Sequence, residues 1–75
     1  MPLSMAVTGE TNYIRKILVK DEIRRYLEKL GFIAGEPVTV ISKLNGNMIL
    51  LVKNSRIALD NDMANRIMIQ QGEKI

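Results

Sequence analysis

Apolar positions in this chain fall into short blocks, and their spacing predicts mostly strands with one clear helix. Between residues 38 and 52, two runs rich in β-branched and aliphatic residues flank Asn45-Gly46. Asn-Gly between apolar runs is the strongest short hairpin signal, because a type I′ turn needs positive φ at both central positions. The turn sets a register in which Ile41 faces Leu50. We therefore expect two antiparallel strands joined by a tight turn.

Residues 21–30 form the clearest helical pattern. Their apolar members recur every three to four residues and make one stripe: Ile23, Tyr26 or Leu27, and Leu30. Asp21 is predicted to accept a hydrogen bond from the free N–H groups of the first turn. Gly31 is predicted to end the helix, because glycine adopts the left-handed C′ conformation without a Cβ penalty. Phe32 would then pack against Leu27 beneath the helix end.

The remaining blocks predict further strands and one helical turn. Residues 12–18 read as a strand that needs a bulge to bring Ile14 and Ile17 to the same face. Pro37 suits a strand start, and Asn54-Ser55 a second tight turn. The alternating residues 56–60 follow, then a helical turn capped within residues 60–62, a closing strand over 67–69 and a frayed end over 70–75. This order predicts a mainly β fold, a small and strongly bent antiparallel barrel of about five strands with one inserted helix, as a single domain over residues 1–75.

Composition then excludes several classes of function. The 75 residues include no Cys and no His, although 47% are apolar. The commonest general base and the softest common metal ligands are therefore missing, and we expect neither an enzyme nor a cofactor or metal site. The longest apolar run, residues 48–52, is far shorter than the ~20 residues of a membrane-spanning helix. With no signal-peptide pattern at the N-terminus, we expect a cytoplasmic protein.

The net charge of +3 comes from one stretch of the chain. Residues 15–29 hold six basic and three acidic side chains, a balance of +3. Much of this stretch is the outward face of the predicted helix, beside a hairpin on which we expect Met48 to be exposed. Arginine and a few apolar residues are typical of interface centres. The predicted partner-binding residues are accordingly Arg24, Arg25, Lys29, Met48 and Arg56.

Two other interpretations compete with a protein-binding module. A small basic barrel can bind RNA or single-stranded DNA, but such barrels use aromatic stacking platforms. This chain has three aromatic residues, and Tyr13 is the one that the helix stripe and cap do not use. The other alternative is a homo-oligomer that associates through the apolar face of the hairpin.

Three segments together resemble the FeoA family. They are residues 22–40, EIRRYLEKLGFIAGEPVTV, residues 52–59, VKNSRIAL, and residues 63–69, MANRIMI. The likeness spans roughly residues 2–69, and its specificity lies in the order and spacing of the segments. The resemblance implies an SH3-like barrel, in agreement with the strand order above.

The resemblance also implies a function and a partner. The function is that of a small cytoplasmic accessory protein of bacterial ferrous iron uptake. The partner would be a FeoB-type membrane transporter, which carries a cytoplasmic G-protein domain. A similar barrel forms the C-terminal domain of some metal-dependent repressors, so a repressor module stays open as an alternative. Since Fe²⁺ needs His, Cys or clustered carboxylates, we expect contact with the transporter and not carriage of iron.

Overall fold

Five strands and two helices follow one another in the order that the sequence predicts. The computed structural model describes residues 1–71. A 3-10 turn, Leu3–Met5, precedes the strands. The strands and helices are β1 (Thr11–Ile17), α1 (Asp21–Leu30), β2 (Pro37–Leu44), β3 (Asn47–Val52), β4 (Ser55–Asp60), α2 (Asn61–Ala64) and β5 (Ile67–Gln71).

The strands form one antiparallel sheet in the order β4-β3-β2-β1-β5. Neighbouring strands lie about 4.8 Å apart, so the edges of a flat five-stranded sheet would be separated by roughly 19 Å. Leu59 on one edge strand nevertheless belongs to the same buried cluster as Ile67 and Ile69 on the other. The sheet must therefore curl around its core, as the predicted barrel requires.

The two tight turns have the backbone that a type I′ hairpin needs. Asn45 and Gly46 have φ of 41° and 84°, and Lys53 and Asn54 have φ of 49° and 63°. The first turn is confirmed at Asn45-Gly46. The second lies one residue earlier than Asn54-Ser55, because Ser55 is already the first residue of β4 and pairs with Val52.

The predicted register of the β2–β3 hairpin is correct beside the turn and wrong beyond it. Ser42 faces Ile49 as expected, but Val40, and not Ile41, faces Leu50. A bulge at Ile41 shifts the pairing by one residue. The shift keeps Val40 and Leu50 together in the core, whereas Ile41 lies at the surface. Core packing thus overrides the register that the turn alone would set.

A second bulge lies in β1, where the sequence requires one. The pairing with β5 shifts between Ile14 and Lys16, and both Ile14 and Ile17 are buried. Asn12 lies on the same inward face, opposite Val38 of β2, and is 0% exposed. Neither its amide nitrogen nor its amide oxygen has a hydrogen-bond partner within the described part of the chain.

Helix α1 ends as predicted and begins differently. Gly31 has φ of 109°, and the N–H of Phe32 donates to the carbonyl of Leu27 at 3.0 Å. Phe32 and Leu27 are both buried in the same cluster, which agrees with the predicted contact beneath the helix end. The N-cap is Lys20 and not Asp21; Asp21 is the first helical residue, and its carboxylate pairs with Arg24.

Near the C-terminal end of the described residues, regular structure extends further than predicted. Asp60 caps α2 by accepting from the N–H of Met63 at 2.8 Å, one of the caps that the sequence offers. Strand β5 extends to Gln71, so residues 70–71 are paired with β1 and not frayed. Residues 72–75 lie outside the described part of the chain. The outer edge of β5 is covered, because the N–H of Ile69 donates to the carbonyl of Met1 at 2.8 Å.

Candidate functional site

The outward face of α1 carries three of the predicted partner-binding residues. Arg24, Arg25 and Lys29 are all exposed, as the helical spacing predicts. Arg25 and Lys29 are four residues apart, so they lie on one face of the helix. Arg24 lies on the flank, where its guanidinium pairs with Asp21. Because Leu27 anchors the opposite side in the core, this cationic face points into solvent.

A cleft separates α1 from strand β1. It has a volume of about 200 Å³ and includes Arg24 and Glu28 from the helix. Arg15 and Lys16 of the strand also line it, together with Phe32 and Ala34. The cleft therefore extends the positive charge of α1 onto the sheet.

A second cleft lies between the first half of α1 and the region of α2. It has a volume of about 250 Å³ and is lined by Val19, Lys20, Ile23, Met63 and Arg66. Its walls are mainly aliphatic, and its two cations come from segments far apart in the chain. Ile23 is 37% exposed here, so the predicted helix stripe is only partly buried.

An adjoining cleft of about 350 Å³ continues past Arg66 to Leu18, Asp62 and Asn65. Leu18 is half exposed although it is aliphatic. We call the exposed cations of α1 together with these two clefts the α1 surface. It consists of Arg24, Arg25 and Lys29 on the helix, and of Lys20, Arg66, Leu18, Val19, Ile23 and Met63 at the clefts. The α1 surface combines positive charge with accessible apolar side chains, as interface centres do.

Met48 does not belong to any such surface. The prediction that it is exposed is wrong, because Met48 is 0% exposed. It alternates with Leu50 and Val52 along β3, so all three side chains point into the core. Lys43, which faces Met48 across the hairpin, remains exposed and donates to the carbonyl of Ser4 at 3.3 Å. Its long aliphatic stem allows the ammonium group to reach that carbonyl.

Arg56 is exposed as predicted but lies on a different element, the edge strand β4, where it faces Leu51 of β3. Sequence reasoning also missed Arg66, which joins the α1 surface from 46 positions after Lys20 in the chain. No local pattern marks Arg66, because the closeness of α1 and α2 is a tertiary feature. Leu18 could have been identified from the sequence, because it is an aliphatic residue just beyond the alternating part of β1.

The described residues do not assemble a cluster that could hold a metal ion. No three acidic side chains come together in residues 1–71, and the sequence has no His or Cys. Within the same residues, no helix is long and apolar enough to cross a membrane. What the surface offers chemically is charge and apolar contact.

Comparison with known proteins identifies the family. The model of the FeoA domain matches residues 1–71. The chain belongs to the FeoA family. Members of this family are accessory proteins of ferrous iron transport, so the resemblance noted in the sequence is confirmed.

Individual relatives agree with this assignment. Fe(2+) transport protein A of Methanocaldococcus jannaschii is 32% identical over 72 residues, covering 96% of this chain and 88% of that protein. An iron uptake regulatory protein, also a FeoA, is 25% identical with a TM-score of 0.85, covering 93% of this chain and 95% of the other. The FeoA of Stenotrophomonas maltophilia, solved with zinc, is 26% identical with a TM-score of 0.82 over 93% and 89% of the two chains.

The fold itself occurs more widely. The Stenotrophomonas FeoA is described as an SH3 domain protein, and the SH3-like fold predicted for this chain is confirmed. A manganese-dependent transcriptional repressor reaches a TM-score of 0.84 at 16% identity, but the match covers only 41% of that chain. At that identity the likeness shows a shared fold and does not favour the repressor alternative.

Proposed function

We propose that this FeoA protein acts in the cytoplasm by direct contact with a FeoB-type ferrous iron transporter, and that it binds through the α1 surface. The observation that carries the proposal is an accessible, mainly aliphatic cleft flanked by Lys20 and Arg66, beside the helix that exposes Arg24, Arg25 and Lys29. The residues of the α1 surface provide charged and apolar contacts for a partner, so the protein would act on transport by binding and not by catalysis.

The chemistry of the α1 surface indicates what it would bind. Lys20 and Arg66 flank the aliphatic walls of the 250 Å³ cleft. An apolar side chain next to a carboxylate would satisfy both parts of this cleft. We therefore propose an acidic, amphipathic segment on the cytoplasmic side of the transporter, in its G-protein domain or at its membrane core. Charged rims mainly raise the association rate, and buried apolar anchors slow dissociation.

Isothermal titration calorimetry with the transporter's cytoplasmic domain, and with the detergent-solubilised transporter, tests the contact. The double substitution Arg24→Glu/Arg25→Glu is expected to weaken binding at least about tenfold, since it replaces attraction by repulsion at two of the exposed cations of α1. Arg25→Glu alone has a matched control in Lys43→Glu, which makes the same charge change on β2. We expect a severalfold loss for the first and wild-type affinity for the second.

The apolar part of the surface has its own matched pair. Ile23→Ser changes the wall of the cleft, and Ile33→Ser makes the same change at a residue of similar exposure outside the clefts. Weaker binding is expected from the first variant only. Wild-type affinity of the Arg24→Glu/Arg25→Glu protein, or equal losses within either matched pair, would show that α1 is not the contact surface.

A further inference from the structure

The two edges of the sheet differ in how they are covered. The outer edge of β5 is paired with the N-terminal segment, where Pro2 bridges to Met68 and the ammonium group of Met1 donates to the carbonyl of Ile69 at 3.1 Å. On β4, no backbone hydrogen bond from residues 1–71 reaches the outward groups of Arg56 or Ala58. An open edge of this kind is a template for another strand.

The register of β3 and β4 shows which groups the open edge presents. In an antiparallel pair, residues alternate between positions bonded to the neighbouring strand and positions that point away from it. The N–H of Asn61 donates to the carbonyl of Gly46 at 2.8 Å, which places residue 61 among the bonded positions. Residues 57 and 59 share that phase, facing Leu50 and Met48. The N–H and C=O groups of residues 56 and 58, and the N–H of residue 60, therefore point outward from the sheet, whereas the carbonyl of Asp60 belongs to the cap of α2.

We propose that the chain forms a homodimer in which β4 pairs antiparallel with β4 of a second copy, about a two-fold axis at Ala58. Ala58 then exchanges both backbone hydrogen bonds with Ala58 of the second copy. Arg56 lies opposite Asp60 of the second copy, and its carbonyl accepts from the N–H of that residue. The two-fold axis repeats the same contact on the other side. Strand β4 contributes no residue to the α1 surface, so the dimer would leave that surface free.

The charges of β4 favour this one register. Arg56 makes neither of the two ion pairs found among the described residues, Arg24–Asp21 and Lys53–Glu36. Oδ1 of Asp60 accepts from Met63, which leaves the second carboxylate oxygen for an arginine. A shift of the pairing by two residues would place either Arg56 or Asp60 opposite Ala58, and a shift by four would place two like charges opposite each other. Only the axis at Ala58 satisfies both charges in each copy.

The side chains of the edge allow a close approach. Arg56, Ala58 and Asp60 are all exposed on the outer face of the strand. The small alanine lies at the axis, and half-buried Ile49 faces it from β3, so an apolar strip crosses the proposed interface. An interface of one strand pair is at the low end of protein contact areas, so we expect a dissociation constant in the micromolar range or weaker.

Sedimentation equilibrium across protein concentration tests the dimer, and complementary charge reversals test its register. Arg56→Asp gives a strand whose outward charges are both negative, and Asp60→Arg one whose charges are both positive. Each variant alone is expected to dimerise about tenfold more weakly than wild type, because two attractive pairs become repulsive. An equal mixture of the two is expected to regain association as a heterodimer, since every arginine again faces an aspartate.

Ala58→Pro tests the backbone contact and has its control in Ala58→Thr. Proline removes the outward N–H, which an edge strand tolerates, whereas threonine keeps it. We expect a folded monomer from the first variant and a dimer from the second. In the wild type, we expect hydrogen exchange at the amide of Ala58 to be slower at high protein concentration. A monomeric wild type at every concentration, or mixed charge variants that do not associate, would overturn the proposal even if Ala58→Pro failed to fold.

Discussion

Replacing Asn12 by valine is expected to raise the free energy of unfolding, although most substitutions of buried residues lower it. Asn12 is fully buried on the inward face of β1, and both polar atoms of its amide lack a partner among residues 1–71. A buried amide without hydrogen bonds costs about 1–3 kcal/mol in proteins. Valine removes the unpaired groups and suits a strand better than asparagine. The expected gain in unfolding free energy is therefore about 1–3 kcal/mol.

For a domain of this length, 1 kcal/mol shifts the midpoint of thermal unfolding by roughly 4–8 °C. A gain near the middle of the expected range would raise Tm by roughly 8–16 °C. Urea unfolding, followed by circular dichroism, measures the free energy directly. The denaturant slope m should stay constant, because the change alters stability and not the area exposed on unfolding.

Two further substitutions make the measurement of Asn12 interpretable. Asn47→Val makes the same change at an exposed position of β3 and should leave stability within about 0.5 kcal/mol of wild type. Asn12→Asp should destabilise the fold, because it adds a buried carboxylate with no partner. If Asn12→Val instead lowers the unfolding free energy by more than about 1 kcal/mol, the amide is hydrogen-bonded in solution and the reasoning is refuted.

Three other substitutions are each expected to lower the free energy of unfolding in the same assay. Met48→Ala should cost about 2–5 kcal/mol, because it opens a cavity in the core; a cost below about 0.5 kcal/mol would indicate a surface residue. Gly31→Ala should cost about 1–2 kcal/mol, because alanine would have to adopt the left-handed backbone conformation of Gly31. The new Cβ would lie 3.2 Å from Cδ of Lys53, but this flexible side chain can move away. Asp60→Ala should cost about 0.5–2 kcal/mol, because it removes the cap of α2. Asp62→Ala leaves that cap intact and should cost clearly less. Equal losses for the two variants would contradict the capping role of Asp60.

The tight turn at Asn45-Gly46, the end of α1 and the bulge in β1 were predictable, because each depends on residues only a few positions apart. Positive φ at Asn45 and Gly46 follows from what a two-residue hairpin turn requires. The end of α1 at Gly31 follows from the same freedom of glycine at a helix terminus. The bulge in β1 was predictable because Ile14 and Ile17 cannot share a face without one. The cations of α1 could likewise be placed outward, since one apolar stripe fixes the orientation of a helix.

The candidate site was predictable only in part. Arg24, Arg25 and Lys29 are neighbours on one helix, so sequence spacing places them together. Arg66 and Met63 join the α1 surface because α2 and the residues after it lie across a cleft from the start of α1, and no local sequence pattern specifies that proximity.

Local sequence thus determined the number and order of the elements, the turns and the outward charge of α1, because each depends on residues a few positions apart. The tertiary structure decided what each strand buries. A one-residue shift in pairing exchanges the two faces of a strand, and the bulge at Ile41 makes such a shift to keep Val40 inside. Curling of the sheet encloses Met48 and Asn12 and leaves β4 as an open edge. These outcomes depend on strands that meet only in the folded chain, so spacing along the sequence could not decide them.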